Sequence, residues 1–158
     1  MPLRLTWAVD PAAGQVHIHP KSVYHCDFSY RNVFLTEHDV VKIGDFGGAG
    51  LDRNESSRVE ECRYDLPLRK RKEWEERPYE KRDLFALGSA LYEIMAWNKP
   101  FPELDDGEVE IRFARDEFPD VSNIACGDII QKCWEEKYEK AEQVMDELRA
   151  IQKGWGLE

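Results

Sequence analysis

From Leu84 to Trp97 the chain carries only two strongly polar residues, Ser89 and Glu93, in fourteen positions. A helix that is apolar nearly all round has no face to give to water, so other elements must wrap it inside a core. Fourteen residues are too few to cross a bilayer. The pattern therefore predicts a buried helix over 84–97, and the rest of the sequence supplies its neighbours. After a turn at Asn98-Lys99-Pro100, Asp106 is expected to cap a short helix carrying Val109, Ile111 and Phe113. Another helix is expected near Cys126 to Trp134. Ala141, Val144, Met145, Leu148 and Ile151 recur at spacings of three and four, the apolar stripe of a last helix that ends around Gly154 and Gly156. Near the start, Asp10 as N-cap and Pro11 in the first turn predict a helix beginning there. At 158 residues a single domain buries roughly two-thirds of its unfolded surface. No internal repeat or low-complexity linker divides it.

One set of residues names a chemistry. Asp27 is followed five residues later by Asn32, and Asp45-Phe46-Gly47 begins thirteen residues after that. Between them, Val33-Phe34-Leu35-Thr36 and Val40-Val41-Lys42-Ile43 are short β-rich runs separated by Glu37-His38-Asp39, the signature of a hairpin. The segment His25-Cys26-Asp27-Phe28-Ser29-Tyr30-Arg31-Asn32 resembles the protein-kinase catalytic loop H-R-D-L-x-x-x-N, and Asp45-Phe46-Gly47 resembles the metal-binding triplet after it. A transferred phosphoryl group carries charge that a divalent cation must neutralise while the acceptor hydroxyl is aligned. The resemblance implies roles for three residues. Asp27 would be the catalytic, orienting base; Asn32 and Asp45 would bind the cofactor by holding magnesium on the ATP phosphates. His25 would be a structural histidine packed against Phe46.

The similarity continues. Arg63-Tyr64-Asp65-Leu66-Pro67-Leu68 resembles the R-Y-x-A-P-E that closes a kinase activation segment. Asp83-Leu84-Phe85-Ala86-Leu87-Gly88 resembles the D-x-W/F-x-x-G opening of the family's central helix, whose aspartate holds backbone amides of the catalytic loop. Cys133-Trp134 is similar to the late C-W of tyrosine kinases and the tyrosine-kinase-like group, and Arg31 matches the tyrosine-type loop, with Ser29 where serine/threonine enzymes have lysine. The run from Asp83 to Ile94 with Pro100-Phe101 and Phe118-Pro119-Asp120 is also similar to kinase-like proteins of filamentous fungi. What these matches imply is an α+β fold, mainly α: a protein-kinase-like C-terminal lobe with a small β-hairpin. It is expected as one partial domain over residues 1–158, the match strongest over 24–135 and extending over roughly 15 to 152.

The departures are specific. Met1 to Tyr24 contains one glycine, Gly14, and one lysine, Lys21. That leaves no room for the glycine-rich lid, strand lysine and helix glutamate of a kinase N-terminal lobe, which is therefore expected to be missing. Gly47-Gly48-Ala49-Gly50 lacks the strand-loop-helix setting of a phosphate cradle and is expected only to loosen the activation segment. Cys26 replaces an arginine that pairs with a phosphorylated activation loop in many family members, and a neutral thiol cannot make that contact. It is therefore not expected to read modification of Ser56, Ser57 or Tyr64. Leu68 replaces the glutamate of A-P-E, and its arginine partner falls at Ala141. Losing one partner of a buried pair costs about 3–5 kcal/mol, whereas losing both is often neutral, so the joint absence is expected to leave a coherent fold.

The resemblance implies transfer of the γ-phosphoryl group of ATP to a protein hydroxyl, of serine/threonine or tyrosine, with Mg2+ and ATP required. Catalysis by the isolated chain is expected to be weak. The competing readings are a pseudokinase-like binding or scaffold module, with a cleft floor around Phe34, Leu35 and Phe46, and a fragment of a longer kinase. Partners are expected to be ATP and a protein substrate or binding partner; oligomeric state is left open. Net charge is 22 minus 32, or −10, which argues against a nucleic-acid backbone as partner. The basic run Arg69-Lys70-Arg71-Lys72, followed by Glu73, Glu75 and Glu76, is expected to be a solvated face. Four cysteines without C-x-x-C spacing argue against a disulfide or zinc framework, and His17, His19 and His25 lack a ligand pattern that would make them a metal site. Without a leader-like segment or an apolar stretch of about 18 residues, an intracellular, cytoplasmic location and no membrane partner are expected.

Overall fold

The computed structural model describes residues 2–51, 60–71, 73 and 76–157. Ser56, Ser57, Lys72 and Glu75 lie outside the described residues. Among those described, five α-helices dominate: α1 (Pro2–Ile18), α2 (Tyr79–Ala96), α3 (Asp106–Ala114), α4 (Gly127–Trp134) and α5 (Ala141–Gly154). Strands β1 (Val23–Tyr24), β2 (Val33–Leu35), β3 (Val41–Ile43) and β4 (Gly50–Leu51) form two antiparallel pairs. The expected hairpin is β2–β3, in register Val33 to Ile43 and Leu35 to Val41. The β1–β4 pair was not foreseen, because two-residue strands carry no alternation to read.

Helix α2 is the buried centre, with every residue from Asp83 to Leu91 buried. It packs on α4 and α1, and α1 packs on α5. The α2–α4 contact explains two residues of the sequence at once. A Cβ on Gly88 would stand 2.6 Å from Cys133 Cβ, so only glycine lets the helices approach this closely. Trp134, fully buried, donates its indole N–H to Ser89 Oγ at 2.9 Å, which satisfies the polar residue inside the apolar helix. Phe85, Phe113 and Phe118 complete an aromatic core around Trp134.

Four expectations are corrected. Helix α1 begins at Pro2 and carries Asp10 and Pro11 in its interior. Pro11 cannot donate to the preceding turn, which costs about 3 kcal/mol in a helix interior, yet burial of Leu5, Ala8, Val9 and Ala12 against α2 and α5 offsets it. Asp10 is no cap: its Oδ2 accepts from Val41 N at 2.8 Å and ties α1 to β3. In α3 the cap is Asp105, one residue early, in a reciprocal capping box with Glu108. Val109 and Phe113 lie one turn apart and are buried, so Ile111 between them falls on the opposite face and is exposed. Trp97 leaves the buried run too: it caps α2 with φ 58°, is exposed, and stacks beneath the Arg4 guanidinium at 4.5 Å.

The basic run is the fourth. Arg69 and Arg71 are not a solvated face but converge on Glu136, between α4 and α5. Arg69 also meets Asp116 at 2.8 Å and donates to the Trp134 carbonyl. Burial would raise the Glu136 carboxyl, but Arg71 and Arg69 outweigh it and hold the group below its usual range. An ion pair of reversed order, with the cation after the P-L and the acid after the C-W, thus joins the segment that follows Leu68 to the turn before Ala141.

Candidate active site

The loop from His25 to Asn32 is held from beneath by α2. Asp83 is buried, and its carboxylate accepts from His25 N at 2.7 Å and Cys26 N at 2.9 Å. A third donor, His19 Nε2, reaches it at 3.0 Å from the end of α1. Charge-assisted bonds of this kind are about twice as strong as neutral ones, and they fasten the loop where Cys26 adopts a left-handed φ of 58°. The Cys26 thiol is fully buried; burial first, then the negative Asp83, push it up to about 11. It is a neutral packing residue.

A second set of bonds joins the loop to the turn after β3. His25 Nε2 donates to the Gly44 carbonyl at 2.8 Å, and its ring packs on Phe46 at 4.9 Å between centroids, as the resemblance implied. Gly44 N donates to the Asn32 carbonyl at 2.9 Å. Asn32 Nδ2 donates to the Asp27 carbonyl at 2.8 Å. Asp27, Asn32 and Asp45 therefore belong to one hydrogen-bonded frame, Asp45 directly following Gly44 with a left-handed φ of 57° and ψ of 61°. Asp27 and Asn32 are half-buried and Asp45 is exposed. With its amide nitrogen committed to Asp27, Asn32 presents its carbonyl oxygen as the end suited to a hard cation. A carboxylate and an amide oxygen, from Asp45 and Asn32, are donor chemistry that magnesium takes.

A family model, protein tyrosine and serine/threonine kinase, matches residues 1–149. The chain belongs to the protein kinase family. Mouse serine/threonine-protein kinase Nek3 is 41% identical to this chain over 100 residues, 61% of this chain and 19% of that protein. Serine/threonine-protein kinase STY17 of Arabidopsis thaliana is 25% identical over 137 residues, 82% of this chain and 23% of that protein. Human tyrosine-protein kinase FRK is 28% identical over 145 residues, 84% and 29%. The chain thus spans less than a third of the length of each of these relatives.

Around the loop the chain carries contacts that its sequence did not announce. Tyr64 is buried; its hydroxyl donates to Glu93 on α2 at 2.7 Å and accepts from Tyr30 N at 3.2 Å. Burial raises the Tyr64 phenol and likewise Glu93. Tyr64 is thus a strut between loop and core rather than an open modification site. Arg63, also buried, spends its donors on the carbonyls of Pro100, Phe101 and Leu104 and on Asp106. Nothing in local periodicity marks such long-range pairs. Their only signal is polar residues at positions that must be buried: Glu93 in the apolar helix and Arg63 beside a tyrosine. The three early histidines go to separate partners, His17 to Lys21, His19 to Asp83 and His25 to Gly44. Among the described residues, no helix is long and apolar enough to cross a membrane.

Proposed function

We propose that the chain is the C-terminal lobe of an ATP-dependent protein kinase, a partial domain over residues 1–158 in which Asp27, Asn32 and Asp45 serve phosphoryl transfer to a protein hydroxyl. The observation that carries this reading is the Asp27–Asn32–Gly44 frame, anchored on Asp83, which presents an acid, an amide oxygen and an acid from neighbouring turns. Asp27 accepts a hydrogen bond from the acceptor hydroxyl and orients its lone pair toward the γ-phosphorus. The new O–P bond forms as the bond to the β,γ-bridging oxygen breaks; ADP leaves, and the hydroxyl proton passes to Asp27. Asn32 and Asp45 would hold Mg2+, which when bound neutralises charge on the phosphates. The relatives' names divide between serine/threonine and tyrosine acceptors, and the acceptor here is a protein hydroxyl of either kind.

Positioning supplies nearly all of this catalysis, and the 158 residues hold no glycine-rich lid or strand lysine before the loop. Alone, the chain should bind Mg-ATP weakly and turn it over very slowly. A second reading is favoured by one observation: Phe34, Leu35 and Phe46 are 52%, 53% and 40% exposed. Large exposed apolar residues near the site suit capture of another protein surface, and on that reading the lobe is a pseudokinase-like scaffold. The partners are ATP and a protein substrate on the first reading and a binding partner on the second, in either case in the cytoplasm, with neither nucleic acid nor membrane. Calorimetric titration of Mg-ATP separates the two. Phosphoryl transfer requires binding that falls at least about tenfold in Asp45→Asn and Asn32→Ala; binding absent in the parent, or indifferent to both changes, leaves the scaffold.

A further inference from the structure

Residues 60–66 begin on an acid placed where acids are costly. Glu60 has a side chain 2% exposed, and its Oε1 accepts from Arg82 Nε on α2 at 2.7 Å. Its Oε2 is buried with no hydrogen-bond partner among the described residues, so Arg82 carries most of the compensation for desolvating this charge. Five residues on, Asp65 pairs in the same way with Arg77, which also donates to the Leu66 carbonyl at 2.6 Å. Each pair sets an acid of the stretch 60–66 against a base at or just before the start of α2. Cys26 lies within electrostatic range of both Glu60 and Arg82. The catalytic loop thus offers this acid only a neutral thiol, and the positive charge comes from α2 instead.

We propose that Glu60 is a built-in anionic anchor: paired with Arg82, it fastens residues 60–66 to α2, so this segment packs on charge encoded in the chain and needs no added phosphate. Setting the segment sets Tyr64 as well, and through Tyr64 the backbone of Tyr30 in the catalytic loop. The anchor rests on the phosphotransfer reading only for what it is good for. Its test reads backbone protection, so it can fail while nucleotide binding succeeds, and the reverse.

The experiment is amide hydrogen exchange on the 158-residue chain made in bacteria and verified by intact mass to carry no phosphate. The amides of Tyr64 and Asp65, bonded to the Glu61 carbonyl at 2.7 and 3.0 Å, should be protected in this unmodified chain. Glu60→Gln should speed their exchange roughly a hundredfold, the consequence of leaving Arg82 buried and unpaired, while Val144 and Leu148 in α5 keep their rates. Arg82→Gln should do the same. Reversing the pair, Glu60→Arg with Arg82→Glu, should recover more than about tenfold of the loss. Unprotected amides at 64 and 65 in the unmodified chain overturn the anchor. So does a change below about threefold in Glu60→Gln, or an equal rise in α5. If Glu60→Gln does not fold, Glu60→Asp keeps the charge on a shorter arm: faster exchange confined to 64 and 65 supports the anchor, and unchanged exchange defeats it.

Discussion

Asp65 is a carboxylate that the fold would rather keep protonated. Burial pushes its pKa up to about 6, the Arg77 charge offsetting only part of that, with Glu60 adding to the rise and Arg82 opposing it. The folded form therefore binds this proton more tightly than the unfolded chain does. The stability it contributes is complete below about pH 4 and is lost as pH rises through 6. Asp65→Asn removes the titration, so the parent should gain on the variant by about 1 kcal/mol between pH 7 and pH 5, roughly 2–4 °C in Tm. A stability difference, parent minus variant, that stays flat or falls on acidification contradicts the assignment. Neither this shift nor the Tyr64–Glu93 bond could be read from the residues themselves. The amino acids were visible, but a pKa and a hydrogen-bond partner are properties of distance, and Tyr64 and Glu93 stand 29 positions apart. Asp83 was legible for the opposite reason. It lies inside a run of local motif, so a match of letters also fixed its neighbours.

Between elements, the reversed ion pair is the most testable join. Glu136 links the segment after Pro67 to the turn between α4 and α5, with side chains of Arg69 and Glu136 only 12% and 15% exposed. Removing one partner strands a partly buried charge, so Glu136→Gln should cost about 2–3 kcal/mol. Replacing both at once, Arg69→Leu with Glu136→Leu, should cost less than the single change, as a urea unfolding series would measure from the midpoints. A double variant that costs the full sum of its two single changes would mean the residues serve separate partners. Helix positions were the most readable feature at this scale, since α2, α4 and α5 each carry an apolar pattern that matches their buried faces. Where reading failed, tertiary contact overrode a local rule: Pro11 as a helix start lost to the packing of α1 between α2 and α5, and Ile111 followed helical geometry rather than its apolar side chain.

For the molecule as a whole, the site and the core are one structure. Asp83, which holds the backbone of His25 and Cys26, belongs to α2, which also provides the middle of the hydrophobic interior through Phe85, Leu87 and Leu91. The acid-amide-acid ladder was legible because its spacing is short and its hairpin local; the frame that joins its members runs through backbone groups, which every residue has and no sequence distinguishes. In contrast, the exposed Phe34, Leu35 and Phe46 record what the described surface has not covered. Because one buried carboxylate grips two successive loop amides, those amides have no private route to solvent. His25 and Cys26 should exchange their hydrogens only at the rate set by global unfolding, which native-state exchange at increasing denaturant would show as convergence with the slowest amides of α2. On warming, then, this chain has no stage at which its loop melts while its interior stands: whatever temperature dissolves the one dissolves the other.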